Sequence, residues 1–148
     1  MILITQRLIK IIKNAAKKSY PFESCGLLIG EKHGDDLMII TKVIKSKNVS
    51  ESDQRYNFKI DPQIRFNLRR TFSSKKESSF YSDRLLGHYH SHPNQTSTPS
   101  TTDISMAYEA DLIWLITSVV NFKVCDTKAH IFDNQTGNFR QITLKIKT

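Results

Sequence analysis

Gly87-His88-Tyr89-His90-Ser91-His92-Pro93-Asn94-Gln95-Thr96-Ser97-Thr98-Pro99-Ser100-Thr101-Thr102-Asp103 is the stretch that decides how the rest of the chain is read. Residues 85–90 read as a β-strand. Residues 93–99, with proline at both ends, read as a loop that cannot be regular, and residues 100–110 as a short helix. Side chains alternate along a strand, so His90 and His92 leave the same face. Asp103 falls in the first turn of the following helix, where the chain can fold back over the strand end. Two imidazoles and one carboxylate make three ligands. A zinc ion with three protein ligands keeps a fourth position for water, which marks a catalytic rather than a structural site. Such an ion brings the pKa of its water toward neutral. His88 has the same parity but lies one pleat further back, which suits a core or groove histidine better than a ligand.

Two further residues belong to the same chemistry. Ser100 followed three residues later by Asp103 is a capping box, in which the serine hydroxyl satisfies a helix N–H. If Asp103 turns toward a metal, the same hydroxyl stands near the open position and can donate to a developing oxyanion. Hydrolysis also needs a base that takes a proton from water and passes it to the leaving amine. Of Glu23, Glu31, Glu51, Glu77 and Glu109, Glu23 stands out. It lies in Pro21-Phe22-Glu23-Ser24-Cys25-Gly26-Leu27-Leu28-Ile29-Gly30, where a helix gives way to an apolar strand and an unpartnered charge is costly. Spacing alone does not place it near the histidines.

Outward from this stretch the chain alternates helix and strand signals. Residues 5–18 read as an amphipathic helix with Thr5 as N-cap, Leu8, Ile11, Ile12 and Ala15 as apolar stripe, and Lys10, Lys13 and Lys17 on the other side. A basic amphipathic helix can lie on a membrane, but packing against a sheet is the commoner use. Tyr20-Pro21 ends it. Strands are expected over 22–29 and 37–44, around a turn at His33-Gly34-Asp35-Asp36, and a short one over 55–60. Asp61-Pro62 opens a second helix running to about Phe72, with Ile64 and Leu68 inward. Residues 73–83 read as a polar, mobile loop. Residues 112–120 form a buried strand, and two more strands, 129–133 and 139–146, flank the turn Asn134-Gln135-Thr136-Gly137. This is one mixed α/β domain over residues 1–148, with six or seven strands and three helices.

Composition agrees. The 148 residues are 39% hydrophobic and 24% charged, with five Gly and four Pro, which excludes low-complexity and collagen-like classes. No apolar run approaches a membrane span, and Arg7, Lys10 and Lys13 interrupt the N-terminal apolar stretch, so neither a signal peptide nor a membrane protein is expected. Cys25 and Cys125 then read as reduced thiols in a cytoplasmic protein, each buried and inert. The net charge of +8 points to an acidic partner or nucleic acid, or to a solvated basic surface. Basic and aromatic residues are not interleaved as in a single-strand binding platform, so nucleic acid is disfavoured.

Glu23, His90-Ser91-His92-Pro93, Ser100 and Asp103 together resemble the motif of the JAMM metalloproteases, the zinc-bearing branch of the MPN domain superfamily. Every motif position matches. The Pro21–Gly30 stretch is similar to that family's glutamate-bearing strand, and Arg55-Tyr56-Asn57-Phe58-Lys59-Ile60-Asp61-Pro62 to the approach to its second helix. The resemblance implies an α+β, cytidine-deaminase-like fold, a curved and mostly antiparallel sheet flanked by helices. It implies one zinc ion on His90, His92 and Asp103, Glu23 as base, and Ser100 as a group that polarises the carbonyl. It also implies hydrolysis of an amide or isopeptide bond after the C-terminal Gly-Gly of a ubiquitin-like protein.

The chain is filled by the catalytic domain, as in stand-alone prokaryotic members, and only residues 73–83 could pass for a linkage-reading insertion. That similarity implies a small sulfur-carrier protein as substrate, often acidic and so steered toward a basic enzyme. The alternatives are a RadC-like, DNA-associated protein with a similar His-x-His…Asp motif, a thiol enzyme using Cys25, and a non-enzymatic zinc module. The Glu23 context disfavours the first, the apolar surroundings of Cys25 the second, and the three-ligand count the third. No membrane partner is expected, and the oligomeric state is left open.

Overall fold

The computed structural model of the protein describes residues 1–74, 83–107, 109 and 111–148. The chain runs β1 (Ile2–Thr5), α1 (Gln6–Ser19), β2 (Cys25–His33), β3 (Leu37–Ser46), α2 (Pro62–Ser74), β4 (Arg84–Pro93), α3 (Thr101–Ser105), β5 (Ile113–Val120), β6 (Lys123–Asp133), β7 (Asn138–Ile142) and β8 (Leu144–Lys147). The strands form one sheet in the order β7-β6-β5-β4-β2-β3-β1-β8. The β4–β5, β1–β3 and β1–β8 pairs are parallel and the other four are antiparallel, so the sheet is mixed with an antiparallel majority.

The order of the strands requires curvature. β7 lies at one edge of the sheet and β8 at the other, yet only Thr143 separates them in the chain. Two residues of extended chain span roughly 7 Å, so the sheet curls until its edges approach. The Ile2 amide donates to the Thr143 carbonyl at 2.8 Å and fixes that corner. Helix α1 packs on the concave face, where Leu8, Ile9, Ile12 and Ala16 are buried. Its apolar residues join Ile2, Ile4, Leu28, Ile40, Tyr89, Ile113 and Leu115 in the core. Burial of each such aliphatic side chain is worth roughly 1.5–3 kcal/mol, so the helix helps hold the curled sheet together.

The local signals are realised at the caps. The Thr5 hydroxyl accepts from the Leu8 amide at 3.3 Å, and the Asp61 carboxylate accepts from the Gln63 amide at 3.0 Å at the start of α2. Several expectations are corrected. The buried stripe of α1 contains Ile9 and Ala16, while Ile11 and Ala15 are only half-buried, because the helix is turned to face a sheet that wraps around it. β1 precedes the helix and was not expected. Residues 55–60 make no strand beyond a single bridge between Asn48 and Ile60. The expected strand over 139–146 divides at Thr143 into β7, which pairs with β6, and β8, which pairs with β1, so that the two form opposite edges of the sheet. The expected strand over 129–133 starts earlier, at Lys123.

Helix α3 ends at Ser105, well short of residue 110, and Tyr108 and Ala110 lie outside the described residues. Residues 75–82, most of the expected mobile loop, also lie outside them, while Ser73 and Ser74 close α2. Cys125 is exposed rather than buried. Among the described residues no helix is long and apolar enough to cross a membrane.

Candidate metal centre

Strand β4 is central, between β2 and β5, and is buried from Leu86 to Pro93. A Cβ on Gly87 would stand 2.1 Å from the Ile113 carbonyl oxygen, so only glycine allows β5 to approach so closely there. The alternation expected from sequence holds. Tyr89 belongs to the core beneath α1, and His88, His90 and His92 face the other way, where the rings of His90 and His92 stand 4.9 Å apart at their centroids.

At the end of β4 the two imidazoles converge. His90 Nε2 and His92 Nε2 are 3.0 Å apart. Asp103 closes the triangle, with Oδ2 3.0 Å from His92 Nε2 and Oδ1 3.3 Å from His90 Nε2. All three residues are buried. Helix α3 aims the aspartate through a complete capping box: the Ser100 amide donates to Asp103 Oδ2 at 2.9 Å, and the Asp103 amide donates to Ser100 Oγ at 3.1 Å.

The hydrogen-bond pattern favours a cation in this triangle. His92 Nδ1 lies 2.8 Å from the Thr96 carbonyl oxygen, which can only accept, so the ring proton sits on Nδ1 and the Nε2 lone pair points inward. That lone pair faces carboxylate oxygens and a second imidazole, an arrangement that repels unless a positive centre is shared. Ligands about 2.0–2.1 Å from a tetrahedral zinc ion stand roughly 3.3 Å from one another, close to the three edges found. The donor set therefore fits a small divalent ion of the zinc type. His90 is further fixed by Phe58, whose ring stacks on it at 4.2 Å and 18°.

Glu23 sits beyond this triangle, in the turn entering β2, so it is placed just ahead of the strand rather than within it. It is 4% exposed, and its Oε1 is 3.9 Å from His90 Nε2. Ligand atoms of Glu23, His90 and His92 lie within 4.8 Å of one another. Among the described residues Glu23 Oε2 has no hydrogen-bond partner. Its backbone is held on both sides: its amide donates to the Gln54 carbonyl at 2.8 Å, and Asn48 Nδ2 donates to its carbonyl at 3.2 Å. The next turn is tied to β4 itself, since the Ser24 amide donates to Ser91 Oγ at 2.8 Å and the Ser91 amide to the Ser24 carbonyl at 3.0 Å. Ser91 lies between the two histidines, so these bonds hold Glu23 in register with them.

Electrostatics separate the two carboxylates. Burial, with the Asp103 charge adding to it, pushes Glu23 up to about 9. Burial would raise Asp103 too, but positive charge on the histidine side of the triangle and the Ser100 amide outweigh it and hold that carboxyl far below the usual range. Burial also keeps His88 neutral, down to about 3. His88 stands apart from the triangle, its ring 6.1 Å from that of His90 and edge-on to Trp114 at 4.2 Å. It lines a cavity of about 510 Å³ with Phe58, Trp114, Met106, Leu112 and Asp103.

The five residues singled out from sequence thus come together. The Thr96 carbonyl and the Asn48 and Gln54 clamps were not foreseen. They act through backbone groups or by docking a distant loop, and neither leaves a pattern in the sequence. Cys25 lies behind the site, its thiol pushed up to about 12 chiefly by burial, which is the opposite of an activated nucleophile.

The profile of the prokaryotic homologues of the JAB domain matches residues 5–130. A desampylase from Haloferax volcanii is 30% identical over 98 residues, 66% of this chain and 63% of that protein, so the match spans less than two thirds of the relative. The solution structure of a protein from Desulfitobacterium hafniense superposes with a TM-score of 0.80 at 25% identity, covering 99% of this chain and 93% of that one. A JAB1/MPN domain protein from Archaeoglobus fulgidus shares the fold at a TM-score of 0.55 and 22% identity, with 99% and 98% covered.

Proposed function

Because the chain belongs to the prokaryotic homologues of the JAB domain, we propose that residues 1–148 form one JAMM-type catalytic domain, a zinc-dependent peptidase or isopeptidase. Its substrate is the amide bond after the C-terminal Gly-Gly of a ubiquitin-like or sulfur-carrier protein in the cytoplasm. The observation that carries this reading is the buried triangle of His90, His92 and Asp103 with the Glu23 carboxylate just outside it. The desampylase relative supports the class of substrate.

In this reading His90, His92 and Asp103 hold one zinc ion. A zinc ion bound there supplies a Lewis acid for the carbonyl and a lowered pKa for water. Burial raises Glu23 in the metal-free protein, and its ionised form is favoured once a cation is held at the triangle. As the carboxylate it takes a proton from the attacking water and delivers it to the departing nitrogen, which its free Oε2 and its fixed backbone suit. The Ser100 oxygen accepts from the Asp103 amide, so its own O–H is left to donate toward the carbonyl oxygen. The cavity bounded by Phe58 and Trp114 reaches Asp103 and accommodates an extended tail. The chain's charge of +8 steers an acidic carrier toward the site, and the substrate pair below tests whether the junction selects glycine.

The test is a pair of carrier–peptide fusions, one with Gly-Gly and one with Ala-Ala at the junction, assayed across a salt series. The proposal requires cleavage of the first and resistance of the second, with kcat/KM falling as salt rises while kcat holds. Equal cleavage of both fusions removes the glycine selection, and a salt-independent kcat/KM removes the steering.

A further inference from the structure

The hairpin between β5 and β6 turns on Asn121 and Phe122, with φ of 49° and 65°. Two consecutive left-handed residues are the geometry of a type I′ turn, whose usual sequence is Asn-Gly. Asn121 obeys that preference and Phe122 does not, since a bulky residue at positive φ is a genuine outlier. Core packing does not account for it either, because Phe122 is 63% exposed. A strained, exposed aromatic points to a role outside the fold.

Its surroundings say where that role lies. The Phe122 ring packs on Tyr20 at 4.5 Å. The Tyr20 hydroxyl donates to Asn94 Oδ1 at 2.7 Å, and Asn94 follows His92 by two residues. Phe22 is exposed and immediately precedes Glu23. An exposed aromatic surface is therefore tied at one end to the Glu23 segment and at the other to the His92 segment. The cavity beside Phe58 and Trp114 touches Asp103 and includes none of these residues. The two surfaces share no residue: one reaches the centre through Asp103, the other through the segments of Glu23 and His92.

We infer that the surface of Tyr20, Phe22 and Phe122 receives apolar side chains of the segment bearing the released amine. This rests on the hydrolase reading above. In amide hydrolysis the water oxygen joins the carbonyl carbon, the C–N bond breaks, and one water proton passes to the nitrogen. The carboxylate that carries that proton must lie within hydrogen-bond reach of the nitrogen. The amine side of the substrate therefore leaves past Glu23, across the aromatic surface, while the Gly-Gly side occupies the cavity. Exposed aromatics give such a segment affinity through apolar burial.

The test is binding of product-like peptides with a free amino terminus, carrying Leu-Phe or Ser-Ser at their second and third positions, titrated into zinc-loaded protein by calorimetry. The apolar peptide should bind about tenfold more tightly. Phe122→Gly gives the turn the residue its backbone prefers, so it should keep the wild-type melting temperature and lose the difference; Phe22→Ala should reduce it. An undiminished preference in both variants, or none in the wild type, overturns the inference. So does burial of the patch in a concentration-dependent dimer. Fusions carrying the same two leaving segments separate this claim from the one it rests on. Cleavage of Gly-Gly fusions with no preference for the leaving segment leaves the hydrolase reading and sinks the surface. Peptide preference without cleavage of any Gly-Gly fusion supports the surface and sinks the hydrolase substrate.

Discussion

Ser100→Ala is the most discriminating single perturbation, because Ser100 stands at a cap and at the candidate site together. In the structure the hydroxyl oxygen accepts from the Asp103 amide at 3.1 Å, while the Ser100 amide donates to Asp103 Oδ2 at 2.9 Å. The substitution removes the first bond and spares the second, so Asp103 stays aimed at the two histidines and metal content should be unchanged. The lost cap costs about 1 kcal/mol, which lowers the melting temperature of a domain this size by roughly 2–4 °C. If the hydroxyl also donates to the developing oxyanion, kcat falls by about 10²–10³ with little change in KM. Melting curves and steady-state kinetics on one Gly-Gly fusion measure both, and Ser100→Thr, which keeps the hydroxyl, should recover much of each. A lowered melting temperature with unchanged kcat would refute the catalytic part and leave Ser100 a cap.

Glu23→Gln should abolish hydrolysis and retain zinc, since the amide keeps the shape and cannot take the water's proton; near-normal turnover would remove Glu23 from the mechanism. The same variant predicts a pH effect in chelator-treated protein. Burial raises Glu23 to about 9 in the folded state, so the folded form holds its proton more tightly than the unfolded one, and stability is lost as pH rises toward 9. The buried histidines are shifted downward and act at lower pH. Between pH 7 and 9 the wild-type melting temperature should therefore fall while that of Glu23→Gln stays flat, and parallel curves would contradict the assignment. Thiol labelling at pH 8 should modify one cysteine in the native protein and two after unfolding. Cys125 is exposed, whereas Cys25 is buried with its thiol raised to about 12; prompt labelling of Cys25 would show that the site is more open than described.

The site was more legible than the sheet that carries it. The parity of His90 and His92, and the serine three residues before Asp103, are local patterns, and local patterns survive folding. Glu23 was legible through its cost, as a carboxylate among apolar neighbours. What the sequence hides is what distant residues decide. Ile2–Thr5 reads as part of an apolar run into α1, but it becomes a strand by pairing in parallel with Met38 and Ile39 on one side and Leu144–Lys147 on the other. Residues 55–60 alternate like a strand, yet Asn48 occupies their backbone: its side chain donates to the Asn57 carbonyl and accepts from the Lys59 amide. The break at Thr143 has no local cause, since it follows from closure of the curled sheet. Cys125 lies on β6 in a run of exposed and half-buried residues, where a small apolar residue is not drawn inward.

The central claim is that His90, His92 and Asp103 hold one catalytic zinc ion, and the measurement that bears on it most directly is the metal content of purified protein. Elemental analysis should find about one zinc per wild-type chain. His92→Ala removes the ligand whose Nε2 lies 3.0 Å from both His90 Nε2 and Asp103 Oδ2. That variant should lose the zinc while circular dichroism shows the fold retained. Stoichiometric zinc in His92→Ala, or none in the wild type after growth and purification with zinc supplied, would contradict the account.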